Sequence, residues 1–201
     1  MDTLKNKNYE SYDYLSRYTH ACVNIALGCL CADCAPDAVV SGINIGQNLG
    51  LPLLWSSGTF SAAAEAAGAG VMAVAASLQL ANEFYEACRI NHQTPPKKLD
   101  DILRSACAHC ANFVRERFEC KDVRLGSVFN INYPSEYSPS TSFVECEPAS
   151  VKILPFYKQD ADGKFSFKYA IDKGRSAGGM QTDIDCLKSG VACYSSIRVR
   201  P

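Results

Sequence analysis

The chain has 201 residues, 47% apolar and 20% charged, with a formal net charge of −1. That is length and apolar content for one globular domain with a sizeable core, or a domain with an appendage. It excludes electrostatic capture of a nucleic-acid polymer. No apolar run approaches the roughly 20 residues of a spanning helix, so no membrane partner is expected.

Residues 1–18 are polar and tyrosine-rich and read as a tail without the apolar centre of a signal peptide. Ala21–Leu30 reads as a helix, with Cys22, Ile25, Ala26, Cys29 and Leu30 at helical spacing on one face. Ala38–Val40 is a short apolar run of the kind that fills a buried parallel strand. A loop with glycines at 42, 46 and 50 is expected to follow it, with Asn44 and Asn48 offering amide groups. In open α/β sheets ligands bind beyond the carboxyl ends of strands, where such a loop sits. Trp55-Ser56-Ser57-Gly58-Thr59 then leads into an alanine-rich helix, with Ser57 or Thr59 as its N-cap. A Ser-Gly-Thr turn opening a helix offers free N–H groups, hydroxyls and the positive end of the dipole to an anion.

Gly70–Ser77 predicts the next parallel strand and Leu78–Arg89 a helix, broken at Pro95-Pro96. Leu99, Ile102, Leu103, Ala106, Cys110, Phe113 and Val114 mark a long amphipathic helix, with Asp100 and Asp101 as helix-start acids. Ser127–Pro134 predicts a strand, and residues 135–150 a loop. Asp162-Gly163 is a hairpin signal, and Phe165, Phe167, Tyr169 and Ile171 alternate after it. Thr182 predicts the N-cap of a short helix ending before Gly190, and Val191–Val199 a last strand.

The chain carries eleven cysteines. Without a signal peptide they read as reduced thiols in the cytoplasm, and an odd count argues against a closed disulfide framework. Cys29-x-Cys31-x-x-Cys34 and Cys107-x-x-Cys110, with His109 adjacent, have zinc-like spacings but close no four-ligand set. Most of these thiols read as small apolar residues on helix faces.

The pattern Pro-Asp-x-Val-Val-Ser-Gly-Ile-Asn-x-Gly-x-Asn-x-Gly from Pro36, followed by Ser-Gly-Thr-x-x-Ala-Ala-x-Glu from Ser57, resembles the SurE survival-protein family. The similarity runs on through Gly70–Ser77, Ser127–Pro134 and the C-terminal helix and strand. It implies an α/β fold with a Rossmann-type three-layer core over residues 19–134. Residues 135–201 are then a C-terminal extension carrying the hairpin, the short helix and the terminal strand. It implies a metal-dependent hydrolase, an acid phosphatase or nucleotidase acting on phosphate monoesters such as nucleoside monophosphates. It further implies a homodimer or higher homo-oligomer. By the same resemblance Asn44 is a ligand of a divalent metal, Mg²⁺ or Mn²⁺. Ser57, Gly58 and Thr59 bind phosphate, and Gly42, Gly46 and Asn48 support the loop. The family also begins with a strand ending in Asn-Asp-Asp-Gly, whose aspartates hold the metal. No such motif occurs in residues 1–201, so the fold reads as N-terminally incomplete. The alternative to the phosphomonoesterase is therefore a catalytically impaired or truncated relative serving as a binding or oligomerisation module.

Overall fold

The structure, a computed structural model, describes residues 19–81, 84, 96–151, 157–167 and 179–199. Helix α1 (Thr19–Ile25) runs into one wider turn, Ala26–Leu30. Then come β1 (Ala38–Ile45), the short α2 (Leu51–Leu54), α3 (Gly58–Gly68) and β2 (Met72–Leu78). The long α4 (Lys97–Glu119), β3 (Ser127–Tyr133) and β4 (Phe143–Glu145) follow. Strands β5 (Tyr157–Gln159) and β6 (Phe165–Phe167) precede α5 (Asp183–Lys188) and β7 (Ala192–Arg198).

One five-stranded sheet has the order β1-β2-β3-β7-β4. β1, β2 and β3 are mutually parallel, whereas β7 lies antiparallel to β3. Every residue of β2 is buried, as expected of a central parallel strand covered on both faces. Strand alternation sorts the core into two layers. Val74, Phe129, Ile131, Tyr133 and Tyr194 pack with Leu99, Ile102, Ala106 and Phe113 of α4. Ala73, Ala75, Val128 and Ile197 on the other face pack with Phe60, Ala63, Ala66 and Ala67 of α3. The result is a helix–sheet–helix sandwich, the three-layer α/β architecture expected.

Four details depart from the sequence reading. β1 does not stop at Ser41 but continues to Ile45, so Gly42 and Asn44 belong to a strand rather than a loop. The ladder to β2 slips between Ser41 and Asn44, where Gly42 takes a φ of 132°. A Cβ at Gly42 would collide with the Ala76 carbonyl, so only glycine lets the two backbones come this close. Leu78 ends β2 rather than opening a helix, and most of the helix expected to follow lies outside the described residues. The segment 135–150 contains β4, which pairs with β7 through Phe143, Val144 and Glu145. The terminal strand joins the central sheet between β3 and β4, apart from the two-stranded β5–β6 hairpin.

That hairpin turns at Asp162-Gly163, with Gly163 at a φ of 78°, as the dipeptide predicts. Tyr169 and Ile171, expected to extend its alternation, lie outside the described residues. An ion-pair chain ties the α4–β3 turn to the sheet edge. Asp122 accepts from Arg117 at 2.9 Å and Arg124 at 3.0 Å, and Arg124 also reaches Glu145 at 2.7 Å.

Candidate functional site

Three parallel strands end at one edge of the sheet, at Ile45, Leu78 and Tyr133. The chain leaving β1 is fixed there residue by residue. Gly46 N–H donates to the Leu78 carbonyl at 2.8 Å. The buried Asn48 donates its backbone N–H to Asn132 Oδ1 at 2.9 Å. Its carbonyl accepts from Asn130 Nδ2 at 3.0 Å and Asn132 Nδ2 at 2.9 Å. Its own amide donates to Ser77 Oγ at 2.8 Å. Asn48 is thus the hub of a neutral buried network, in which each bond adds about 1 kcal/mol but an orphaned partner costs more.

The loop is anchored at its far end by Asp183, the first residue of α5. The carboxylate accepts from Gly50 N–H at 2.8 Å, Ala149 N–H at 2.9 Å and its neighbour Ile184 N–H at 2.8 Å. Burial pushes this carboxyl above its ordinary value, against the three N–H donors, which favour the anion. Gly50 has a φ of 74°, and an added Cβ would lie 3.2 Å from Val151.

Asn44 sits half-buried near the carboxyl end of β1, opposite Ser77 in the ladder. Its Nδ2 donates to the Gly46 carbonyl at 2.7 Å, which fixes the amide plane. Among the described residues its Oδ1 has no partner, the arrangement a carbonyl ligand needs. The Ser57 side chain caps α3, accepting from Phe60 N–H at 3.2 Å, so Ser57 rather than Thr59 is the N-cap. The N–H groups of Gly58 and Thr59, in the first turn of α3, have no partner among the described residues. α3 crosses back between two parallel strands, so its N-terminus lies at their carboxyl end, the same end as Asn44. Thr19 Oγ1 of α1 donates to the Gly58 carbonyl at 2.6 Å and holds this turn from outside.

The donor set at this end is a poor fit for Mg²⁺ or Mn²⁺. Such ions require several hard, charged oxygens, and Asn44 supplies one neutral carbonyl. Among the described residues the only cluster of three or more histidine, cysteine or acidic side chains able to share a metal is Cys146, Cys186 and Cys193, which does not include Asn44. Asp100 opens α4 and pairs with Arg104 at 2.8 Å, as a helix-start acid. The zinc-like spacings of Cys29, Cys31 and Cys34, and of Cys107, His109 and Cys110, gather no such cluster. His109 instead bonds Tyr133 Oη at 3.1 Å and packs edge-on against Phe143, and burial lowers its pKa. Cys110 is a core residue whose thiol burial pushes up to about 11.

Sequence reasoning gave no role to Ser77, Asn130, Asn132 or Asp183. The pair Asn130 and Asn132, two polar residues on one face of an otherwise apolar strand, was the signal for a buried network. Asp183 carried no comparable mark, being one acid in the first turn of a short helix.

Comparison with known proteins agrees with this architecture. The family model described as "Survival protein SurE" matches residues 3–154, beginning inside the segment read as a polar tail. A protein of Methanocella arvoryzae named 5'-nucleotidase SurE is 52% identical over 116 residues, 56% of this chain and 40% of that one. One of the same name from Methanocorpusculum labreanum is 34% identical over 137 residues, 68% of this chain and 48% of that one. The chain thus spans less than half the length of these curated relatives. The crystal structure of the SurE protein from Aquifex aeolicus superposes with a TM-score of 0.59 at 21% identity, covering 91% of this chain and 67% of that one. Among the described residues no helix is long and apolar enough to cross a membrane. With three quarters of its length inside the family model and its sheet matched by a solved member, the chain belongs to the SurE family.

Proposed function

We propose that this chain carries the phosphate-recognition part of a SurE-type phosphomonoesterase, with nucleoside monophosphates as the substrate class. The observation that carries the reading is an Asn44 Oδ1 without a partner among the described residues, beside a pinned loop and at the same end of the sheet as the N-terminus of α3. Gly58 and Thr59 would bind phosphate oxygens through N–H groups aligned with the helix dipole, which requires no metal. Gly42, Gly46 and Asn48 would hold Asn44 in place. Family membership and relatives named 5'-nucleotidase support the assignment.

Hydrolysis asks for more than binding. A divalent ion would polarise the phosphoryl group and supply an activated water, worth several kcal/mol in the transition state. The described residues do not make that site by themselves, so their own contribution is to bind and orient. This also favours a second reading, a non-catalytic binding or oligomerisation module. In either case self-association would involve the β5–β6 hairpin, where Tyr157 and Phe165 are exposed.

The test is amide NMR of the 201-residue chain titrated with adenosine monophosphate, alongside turnover assays with Mn²⁺ or Mg²⁺. Perturbation of Gly58 and Thr59, with slow or undetectable hydrolysis, is the expected result. An unperturbed α3 N-terminus would overturn the phosphate site. Fast metal-dependent turnover abolished by Asn44→Ala would show that charged ligands join Asn44 around a metal and would overturn the binding-only reading.

A further inference from the structure

Beneath α5, behind the residue that anchors Gly50, three thiols meet. Cys146 follows β4, Cys186 lies on α5 and Cys193 on β7. All three are buried free thiols, at 4%, 0% and 0% exposure. Their sulfur atoms all lie within 4.8 Å of one another. Val144 and Val191 pack against them, and the Cys193 thiol donates to the Asp183 carbonyl at 3.9 Å.

Three sulfurs bound to one ion at about 2.3 Å stand about 4.0 Å apart when the ion lies in their plane. The observed separations require a contraction of under about 1 Å, within reach of small χ1 rotations. Two classes of ion fit poorly. Mg²⁺ and Ca²⁺ want oxygen donors. Structural Zn²⁺ wants four ligands, and no fourth cysteine, histidine or acid joins the cluster among the described residues. Soft thiolates without oxygen donors select cuprous copper, for which three sulfurs suffice. We propose that Cys146, Cys186 and Cys193 form a three-sulfur site for Cu⁺. Each Cu–S bond formed releases one thiol proton to solvent, and no electron is transferred. Entry requires only local opening of α5, a six-residue helix whose outer residues Asp185 and Lys188 are exposed.

The experiment replaces the eight cysteines outside the cluster, of eleven in all. The reduced chain is titrated anaerobically with Cu⁺ against a cuprous chelator such as bathocuproine disulfonate. One tightly held copper per chain is expected, with a sulfur-only shell of three scatterers in X-ray absorption and a raised thermal midpoint. Cys186→Ala should lose that copper to the chelator while keeping its circular dichroism. Cys146→Ala serves the same purpose if α5 fails to form. Should the eight-fold replacement not fold, Cys186→Ala in the unmodified chain should hold one fewer copper than its parent. Equal copper content in parent and single variants would overturn the proposal, as would no tight binding, or preferential binding of Zn²⁺ with four ligands.

Discussion

Replacing Asp183 with alanine removes the acceptor of three backbone N–H groups at once, those of Gly50, Ala149 and Ile184. A hydrogen bond to a charged acceptor contributes about 1.5–3 kcal/mol, which gives a gross loss of roughly 4.5–9 kcal/mol. Two effects reduce it. The native state already pays to keep this carboxylate out of water, as its raised pKa shows. The space left by the side chain can also admit water to the orphaned N–H groups. A net loss of about 3–5 kcal/mol remains, a large share of a typical domain's stability. Asp183→Asn keeps one acceptor oxygen but turns an NH₂ group toward at least one N–H, and should cost about half as much. Urea unfolding at neutral pH measures both as shifts in midpoint at constant m. Hydrogen exchange at Gly50 and Ala149 should accelerate in the alanine variant. A loss below about 1 kcal/mol, with unchanged exchange at Gly50, would refute the view that this carboxylate anchors the loop.

Gly42→Ala should destabilise by more than about 2 kcal/mol, because the added carbon meets the Ala76 carbonyl at a φ that L-residues avoid; a urea midpoint within error of the parent would contradict this. Glu145 and Asp122 are held below their ordinary values, each chiefly by its hydrogen bond to Arg124. Their stabilising effect is therefore present above the usual carboxylate range and lost as pH falls through their lowered values. Arg124→Met should flatten that acid limb of the urea midpoint, modestly, since these side chains are partly exposed. Asp183 acts with the opposite sign: its raised pKa contributes stability at low pH that is lost as pH rises through its folded value.

What could be read from the sequence was local. The burial of β2 follows from an apolar run, and the caps of α3 and α5 from Ser57 and Thr182. The turn at Asp162-Gly163 follows from the positive φ that glycine allows. The parallel pairing of residues 38–41 with 72–75 was also legible, but the side-chain contacts whose partners lie far apart in the chain were not. Asn48 meets Asn132 across 84 positions and Gly50 meets Asp183 across 133. The same holds for the thiols, whose tightest sequence spacing, Cys186 to Cys193, gives no hint that Cys146 joins them. The overrun of β1 into Asn44 escaped for another reason. Glycine at 42 signals a loop by propensity, yet here it lets one strand press against the next.

The place of β7 bears on how this chain comes off the ribosome. It follows the other described strands in sequence, yet it lies between β3 and β4, and Asp183 in the helix before it anchors Gly50. While residues 183–198 are still being synthesised, β3 has an open flank and Gly50 has no acceptor. The parallel strands can pair early, but the flank of β3 stays unpaired until residues 192–198 emerge. Such late, long-range closure slows folding and lengthens exposure to aggregation. Slowing translation over residues 183–198 should therefore harm the yield of folded protein more than slowing it over β1 to β3.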